Sequence, residues 1–211
     1  MKKRRISKKK VTIFIVILLI IISIIVAGVL FLTKDGSGKT KKEKEIKTLE
    51  TIKGYDYVLM ENETKYYKKL FKELKKVLEA DEVDENKYAE LVSQLFIADF
   101  YNLDNKVSKS DIGGTQFVYE PYREDFESFA KETIYNHVES NVYGERKQEL
   151  PEVVGTDVVV TPSTFKYGKQ TDDKAYSVAF DIEYAKDLEY QTKGTIVLIH
   201  NDKKLELASL E

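Results

Sequence analysis

Two histidines, one acid in an apolar run and a scatter of tyrosines are the residues of this chain that could carry chemistry. Asp99 sits inside Leu95-Phe96-Ile97-Ala98-Asp99-Phe100-Tyr101, four positions beyond Leu95 and three beyond Phe96. It therefore falls on the buried stripe of a helix, where a carboxylate needs a partner and where the C-terminal end of the helix dipole disfavours it. Asp99 with Tyr101 and His137 is the candidate pocket: a carboxylate beside a phenol and an imidazole is the equipment of general acid–base work. The alternative is structural. Asp99 then accepts hydrogen bonds from a tyrosine hydroxyl or from loop amides and locks its helix against Asp111-Ile112-Gly113-Gly114. A lone His137 on a helix and a lone His200 at a strand end read as structural or solvated.

Other chemistry finds no motif. There is no Cys, which removes disulfides, thiolate zinc sites and thiol nucleophiles. HExxH, G-x-S-x-G, a phosphate-binding loop and a dinucleotide loop are all missing from the sequence. Asp81-Glu82-Val83-Asp84-Glu85 lacks the spacing of a calcium loop and reads as a turn with a helix cap. Asn62-Glu63-Thr64 fits a glycosylation sequon, a short pattern that chance supplies often. No metal and no cofactor is expected, and the reading is that of a protein that is not an enzyme.

The elements that position these residues begin with a membrane anchor. Val11–Leu32 is apolar except for Thr12, Ser23 and Gly28 and carries no charge. At about 1.5 Å per residue it spans about 33 Å, a bilayer core. The run is longer than a signal-peptide core and leaves through bulky Val29-Leu30-Phe31-Leu32, so it is read as retained. Lys2, Lys3, Arg4, Arg5, Lys8, Lys9 and Lys10 precede it and place the N-terminus in the cytoplasm. The expected order is a basic tail at 1–10, a transmembrane helix at 11–33, a charged linker at 34–50 and an extracytoplasmic domain at 51–211. The expected location is the cell membrane, with a single pass and the C-terminal domain extracellular. The lack of Cys in such a domain leans toward a bacterial host.

Seven of the 34 Lys/Arg lie before residue 34 with no acid among them, so the rest of the chain sets 27 basic residues against 36 acidic ones. Its net charge of about −9 is a poor match to phosphate backbones and argues against nucleic acid as a partner. The basic N-terminal cluster reads as an anchor flank beside acidic headgroups.

Within the domain, Gly54–Leu59 reads as a short strand or the entry to a helix. Tyr67, Leu70, Phe71, Leu74, Val77 and Leu78 predict a helix over Thr64–Glu79, with lysines on its other face. Asp84 predicts an N-cap, Val83 and Tyr88 a staple, and the stripe Tyr88, Leu91, Val92, Leu95, Phe96 a helix over Glu85–Tyr101. A third helix is expected from Pro121 to about Gly144, burying Phe126, Phe129, Ala130, Ile134, Val138 and Val142. From Pro151 the period becomes two. Strands are expected over 153–167, 175–184, 194–200 and 205–210, with Asn201–Lys204 as a hairpin loop. The fold class is α+β: three helices packed on a curved antiparallel sheet of three to four strands.

This order resembles the nuclear-transport-factor-2-like fold, the cystatin-like cone in which helices pack into a curved sheet. The likeness covers about residues 52–211 and rests on element order. With its anchor, the chain also resembles the bitopic assembly proteins of bacterial type IV secretion and Gram-positive conjugation machines. That resemblance implies a scaffold that nucleates a membrane complex. Val197 and Ile199 oppose Ile196 and Leu198 on one strand, and Val158, Val159 and Val160 are consecutive, so both sheet faces are apolar. A covered outer face is implied, with Val159, Val197 and Ile199 as candidate interface and a protein partner or a second copy as the cover. A continuation of the core is the alternative. The leading expectation is a non-catalytic assembly module of a cell-envelope complex. The others are a small-molecule or cell-wall ligand in a cone around Asp99, where 14 tyrosines stack on sugars, and last an enzyme of the same fold.

Overall fold

The computed structural model describes residues 46–211. The basic tail, the expected transmembrane helix at 11–33 and most of the expected linker lie outside the described residues. Among the described residues no helix is long and apolar enough to cross a membrane.

The chain opens with a two-stranded antiparallel hairpin, β1 (Thr48–Ile52) and β2 (Tyr57–Met60). β1 corrects the expected linker, which ran to residue 50. Of its two apolar residues only Ile52 is buried while Leu49 faces solvent, so no apolar alternation marks it as a strand. Its ladder to β2 and an ion pair from Glu50 to Lys75 (2.6 Å) hold it in place.

Helix α1 (Lys65–Leu78) starts at Thr64, whose hydroxyl accepts the Tyr67 amide, and buries Tyr67, Leu70, Phe71, Leu74 and Leu78. Helix α2 (Glu85–Phe100) starts at Asp84, which accepts the Lys87 amide. α2 begins at the cap that the sequence predicts, and α1 begins within a residue of its expected start, at a cap the sequence reading did not name. α2 is buried on more than one face, as a helix sandwiched between α1 and the sheet must be.

The third helix departs from expectation. Pro121 lies in a 3-10 turn (Glu120–Tyr122), and α3 covers only Arg123–Glu132. Phe129 is 69% exposed and Val142 also faces solvent, so the predicted stripe is not a buried stripe. The helix stops because Tyr135 is drawn inward. The Thr133 hydroxyl bonds the Phe129 carbonyl, the Tyr135 amide bonds Ala130 O, and the fully buried Tyr135 ring lands beside Phe100. Thr133 and Ile134 are β-branched, which slightly disfavours continuing the helix.

The main sheet has the order β3-β6-β7-β8, all antiparallel: β3 (Val153–Pro162), β6 (Tyr176–Tyr184), β7 (Lys193–Asn201) and β8 (Lys204–Leu210). A small hairpin, β4 (Phe165–Tyr167) and β5 (Gln170–Asp172), interrupts the meander between β3 and β6. The alternation predicted for β6 holds: Tyr176, Val178, Phe180 and Ile182 are buried. The described domain is thus α+β, with three helices and mainly antiparallel sheet.

Three groups tie the first hairpin to the last strand. Tyr57 donates its hydroxyl hydrogen to Leu205 O (2.8 Å), and Leu205 N–H donates to the Tyr88 hydroxyl (2.9 Å). The Tyr57–Tyr88 bond (2.8 Å) therefore runs from Tyr88 to Tyr57. On its other edge β8 meets Val118 in a parallel bridge, with Tyr119 N–H bonding Leu207 O (2.9 Å).

Candidate functional site

Asp99 is 8% exposed at the end of α2, and Lys106, in the loop that follows, is 5% exposed. Their side chains form a buried ion pair through Asp99 Oδ1. The other oxygen, Oδ2, accepts the Gly114 amide (2.7 Å). Gly113 lies so close that a Cβ there would sit 2.3 Å from the Asp99 carbonyl oxygen. Gly114 adopts φ +74 against the Phe96 ring, a conformation that glycine takes without strain. Tyr135 completes the arrangement: its hydroxyl donates to Phe100 O (2.6 Å) and accepts the Gly113 amide (3.0 Å). A helix-end carbonyl and a buried loop amide are satisfied by one phenol.

The loop is fastened from outside as well. Arg146 donates to Lys106 O (2.7 Å) and Asp104 O (2.5 Å), and Asp111 accepts the Val107 amide (2.8 Å). Asn102 accepts the Val153 amide (2.8 Å) and so joins the loop to β3.

A second acid belongs to this cluster. Glu63, just before the cap of α1, has one buried carboxylate oxygen without a partner. Burial, and then the charge of Asp99, push its carboxyl from 4.5 up to about 8, while Lys106 and Lys68 pull the other way and Asp111 adds to the rise. Burial alone would lower the Lys106 ammonium, but Asp99 and the groups around it hold it above its ordinary value. Lys106 is therefore a fixed cation, the opposite of the lowered amine that a catalytic lysine needs.

Because the native state keeps a proton on Glu63 and an unfolded chain does not, this carboxyl stabilises the fold fully below about pH 4.5. That contribution fades as pH rises through 8, at no more than about 1.4 kcal/mol per pH unit. Glu63→Gln is expected to flatten the loss between pH 6 and pH 9, as read by denaturant unfolding of both proteins at each pH.

The structure separates the three expected pocket residues. Asp99 is spent on Lys106 and Gly114. Tyr101 is packed between Phe100 (4.9 Å between rings) and Phe180 (5.8 Å). His137 is exposed beyond the end of α3, with its carbonyl accepting from Gln148 (2.8 Å). The space between helices and sheet that a cone pocket would occupy is filled by Leu91, Leu95, Phe96, Phe100 and Phe117. Two concavities are open to solvent elsewhere, one over the lysine face of α1 and one beside Glu149 and Lys186, and Asp99 lines neither. Of the two readings of Asp99, the lock on the 111–114 loop is the one its contacts follow: Gly114 supplies a loop amide, and Lys106 adds a cation in place of a tyrosine hydroxyl.

The outer sheet face splits in two. Asp172 of β5 accepts His200 N–H (2.7 Å) and meets the His200 ring nitrogen Nδ1 (2.9 Å), and Tyr167 of β4 packs on Tyr119 (5.4 Å). These contacts fold the β4–β5 hairpin back over the end of β7 and β8. Ile199 and Ala175 are fully buried there, outside the main core. Ile199 is thus covered by its own chain, which corrects its assignment to the interface. Val159 is 67% exposed and Val197 half-buried on the part that stays open. Their neighbours by register are Ala179, Ser177, Thr195 and Ser209.

No family model, curated protein or solved structure matches this chain.

The residues that the sequence reading passed over are Lys106, Glu63 and Tyr135. Asp99 on a buried stripe needs a partner, but nothing in the sequence singles out Lys106 from the other lysines of polar loops. Glu63 stood hidden in the sequon, and Tyr135 in a helix expected to continue.

Proposed function

We propose that this domain is a non-catalytic binding and assembly module that packs the open face of its sheet against a second copy within a cell-envelope complex. The observation that carries the reading is Val159, a valine two-thirds exposed on the edge strand beside Ala179, with Ser177, Thr195 and Val197 continuing the same face across β6 and β7. A solvated antiparallel face ordinarily presents charged and long polar side chains. Here Asp157, Asp181, Glu183 and Lys193 stand at one end of the patch.

The edge of the sheet supports the same reading. Ser163 N–H bonds Ala175 O, so by antiparallel alternation residues 157, 159 and 161 turn their backbone groups toward β6. Val158 and Val160 then turn theirs to the open edge of β3. Gln94 caps only Thr156 O (3.1 Å), and Pro162 ends the strand. An open edge of this length is a surface for pairing with another chain.

The order of three helices and an antiparallel meander is also the order on which the resemblance to anchored cone-fold assembly proteins rests. The anchor at 11–33, with an extracellular domain, belongs to this proposal. A fold shared by many functions supports the likeness and does not carry it.

In the full chain held in detergent, sedimentation over a concentration series is expected to show self-association. Val159→Asp is expected to weaken it at least about tenfold, since it places a charge in an apolar contact. A chain that stays monomeric, or one indifferent to Val159→Asp, overturns the proposal.

A further inference from the structure

Helix α1 presents Lys65, Lys69, Lys72 and Lys76 to solvent at successive steps of four, three and four, with Lys68 beside them. Among the described residues none of the four exposed lysines has an acidic partner. They border a shallow concavity of about 410 Å³ whose only acid is Glu73. Nothing local rewards this stripe. Like charges at such spacings repel along a helix, and Lys65 and Lys68 stand in the first turn, which holds no acid and where the helix dipole disfavours cations.

α3 carries the complement. Asp125, Phe129 and Glu132 follow one another at steps of four and three, all exposed, with Phe129 open over more than two-thirds of its surface. Around them exposed Glu120, Glu124 and Glu127 outnumber the one exposed cation of the helix, Lys131. Lys65, Lys69 and Lys72 have the same steps, so each trio spans about 10 Å of helix. Laid side by side, the outer lysines meet the two acids and the central lysine covers the exposed ring, a cation–π contact.

We infer that the lysine stripe of α1 docks on the acidic helix α3 of a second copy of this chain. This rests on the reading of the domain as an assembly module but uses a surface apart from the sheet patch. The contact is heterologous, one helix face against a different one. Two short helices bury little area, so it is weak, steered by charge and weakened by salt.

The absence of cysteine makes a direct test available in the full chain. Chains carrying Lys69→Cys are mixed with chains carrying Phe129→Cys and oxidised at about 50 mM salt, where the Debye length still exceeds 10 Å. A mixed disulfide dimer is expected. Adding Lys65→Glu and Lys72→Glu to the first chain is expected to cut its yield about tenfold. Adding Asp125→Lys and Glu132→Lys to the second chain as well is expected to restore it. These residues are exposed, and glutamate suits the start of a helix, so the variants keep the fold.

No mixed dimer, or a yield that charge reversal leaves unchanged, overturns the inference. Val159→Cys chains are oxidised in parallel. Their cross-linking without the 69–129 product leaves the sheet interface standing and removes this one, and loss of both removes both. Retention of the chain on phosphatidylglycerol vesicles, abolished by Lys65→Glu and Lys72→Glu with no mixed dimer, assigns the stripe to an anionic surface and overturns the inference.

Discussion

Lys106→Met is expected to destabilise the domain by about 3–5 kcal/mol, the cost of leaving a buried charge without its partner. The substitution keeps the length and apolar stem of the side chain, so packing changes little. What it removes is the cation facing Asp99 Oδ1, and with it a pull against the proton on Glu63, which stays neutral and offers Asp99 no compensating charge. Asp99 must then take a proton or remain an uncompensated charge. Asp99→Asn in the Lys106→Met background is expected to recover more than half of the loss. The amide oxygen still accepts the Gly114 N–H, and no charge is left to neutralise. Denaturant midpoints of the two single variants and the double variant give the coupling. Additive losses would show that the pair is not the lock described here.

Gly113→Ala is expected to cost about 3 kcal/mol, at the upper end for overpacking. Its new methyl group would stand 2.3 Å from the carbonyl oxygen and 2.5 Å from Oδ1 of Asp99. The first of these is backbone at the end of a buried helix and cannot swing aside. The loop must therefore lift, and the Tyr135 and Asp99 hydrogen bonds to Gly113 and Gly114 lift with it. Gly144→Ala is the matched control. Gly144 has φ +71 and nothing within 4 Å of a would-be Cβ, so only the left-handed backbone is penalised, by about 1 kcal/mol. Thermal midpoints of the two variants, measured together, separate contact from conformation. Equal losses would mean that the close approach at Gly113 is not what fixes the loop.

Much of this architecture could be read from pattern. Asp84 marks the start of α2 because capping is local chemistry: a short polar side chain reaching an amide three residues on. Tyr176 to Ile182 alternates because one face of β6 is core and the other is not. Where the reading failed, the deciding partner was far away in sequence. Helix α3 ends early because Tyr135 answers a carbonyl at Phe100 and an amide at Gly113, neither visible in the periodicity of 121–144. Ile199 reads as an outward apolar residue until the β4–β5 hairpin, anchored by Asp172 on His200, is folded over it. Asp99 was correctly singled out as buried and in need of company. Its partner Lys106 could not be named, because a lysine in a polar loop looks like any solvated one.

The tyrosine ring that joins the first hairpin to β8 has a consequence for how the chain reaches this state. Tyr57 and Leu205 are 148 positions apart, and Tyr88 and Leu205 are 117 apart. Until residues 204–210 are made and seated, the Tyr57 and Tyr88 phenols have only each other, and the Tyr119 amide lacks the Leu207 carbonyl. The helices can form early, but the loop-closure entropy of these distant contacts must be met before any of them yields stabilisation. Synthesis therefore runs nearly to residue 210 before the domain can close, and closure is a late, slow, collective step. A nascent chain halted before β8 would expose Tyr57, Tyr88 and the unfilled side of β7 to whatever else is folding nearby.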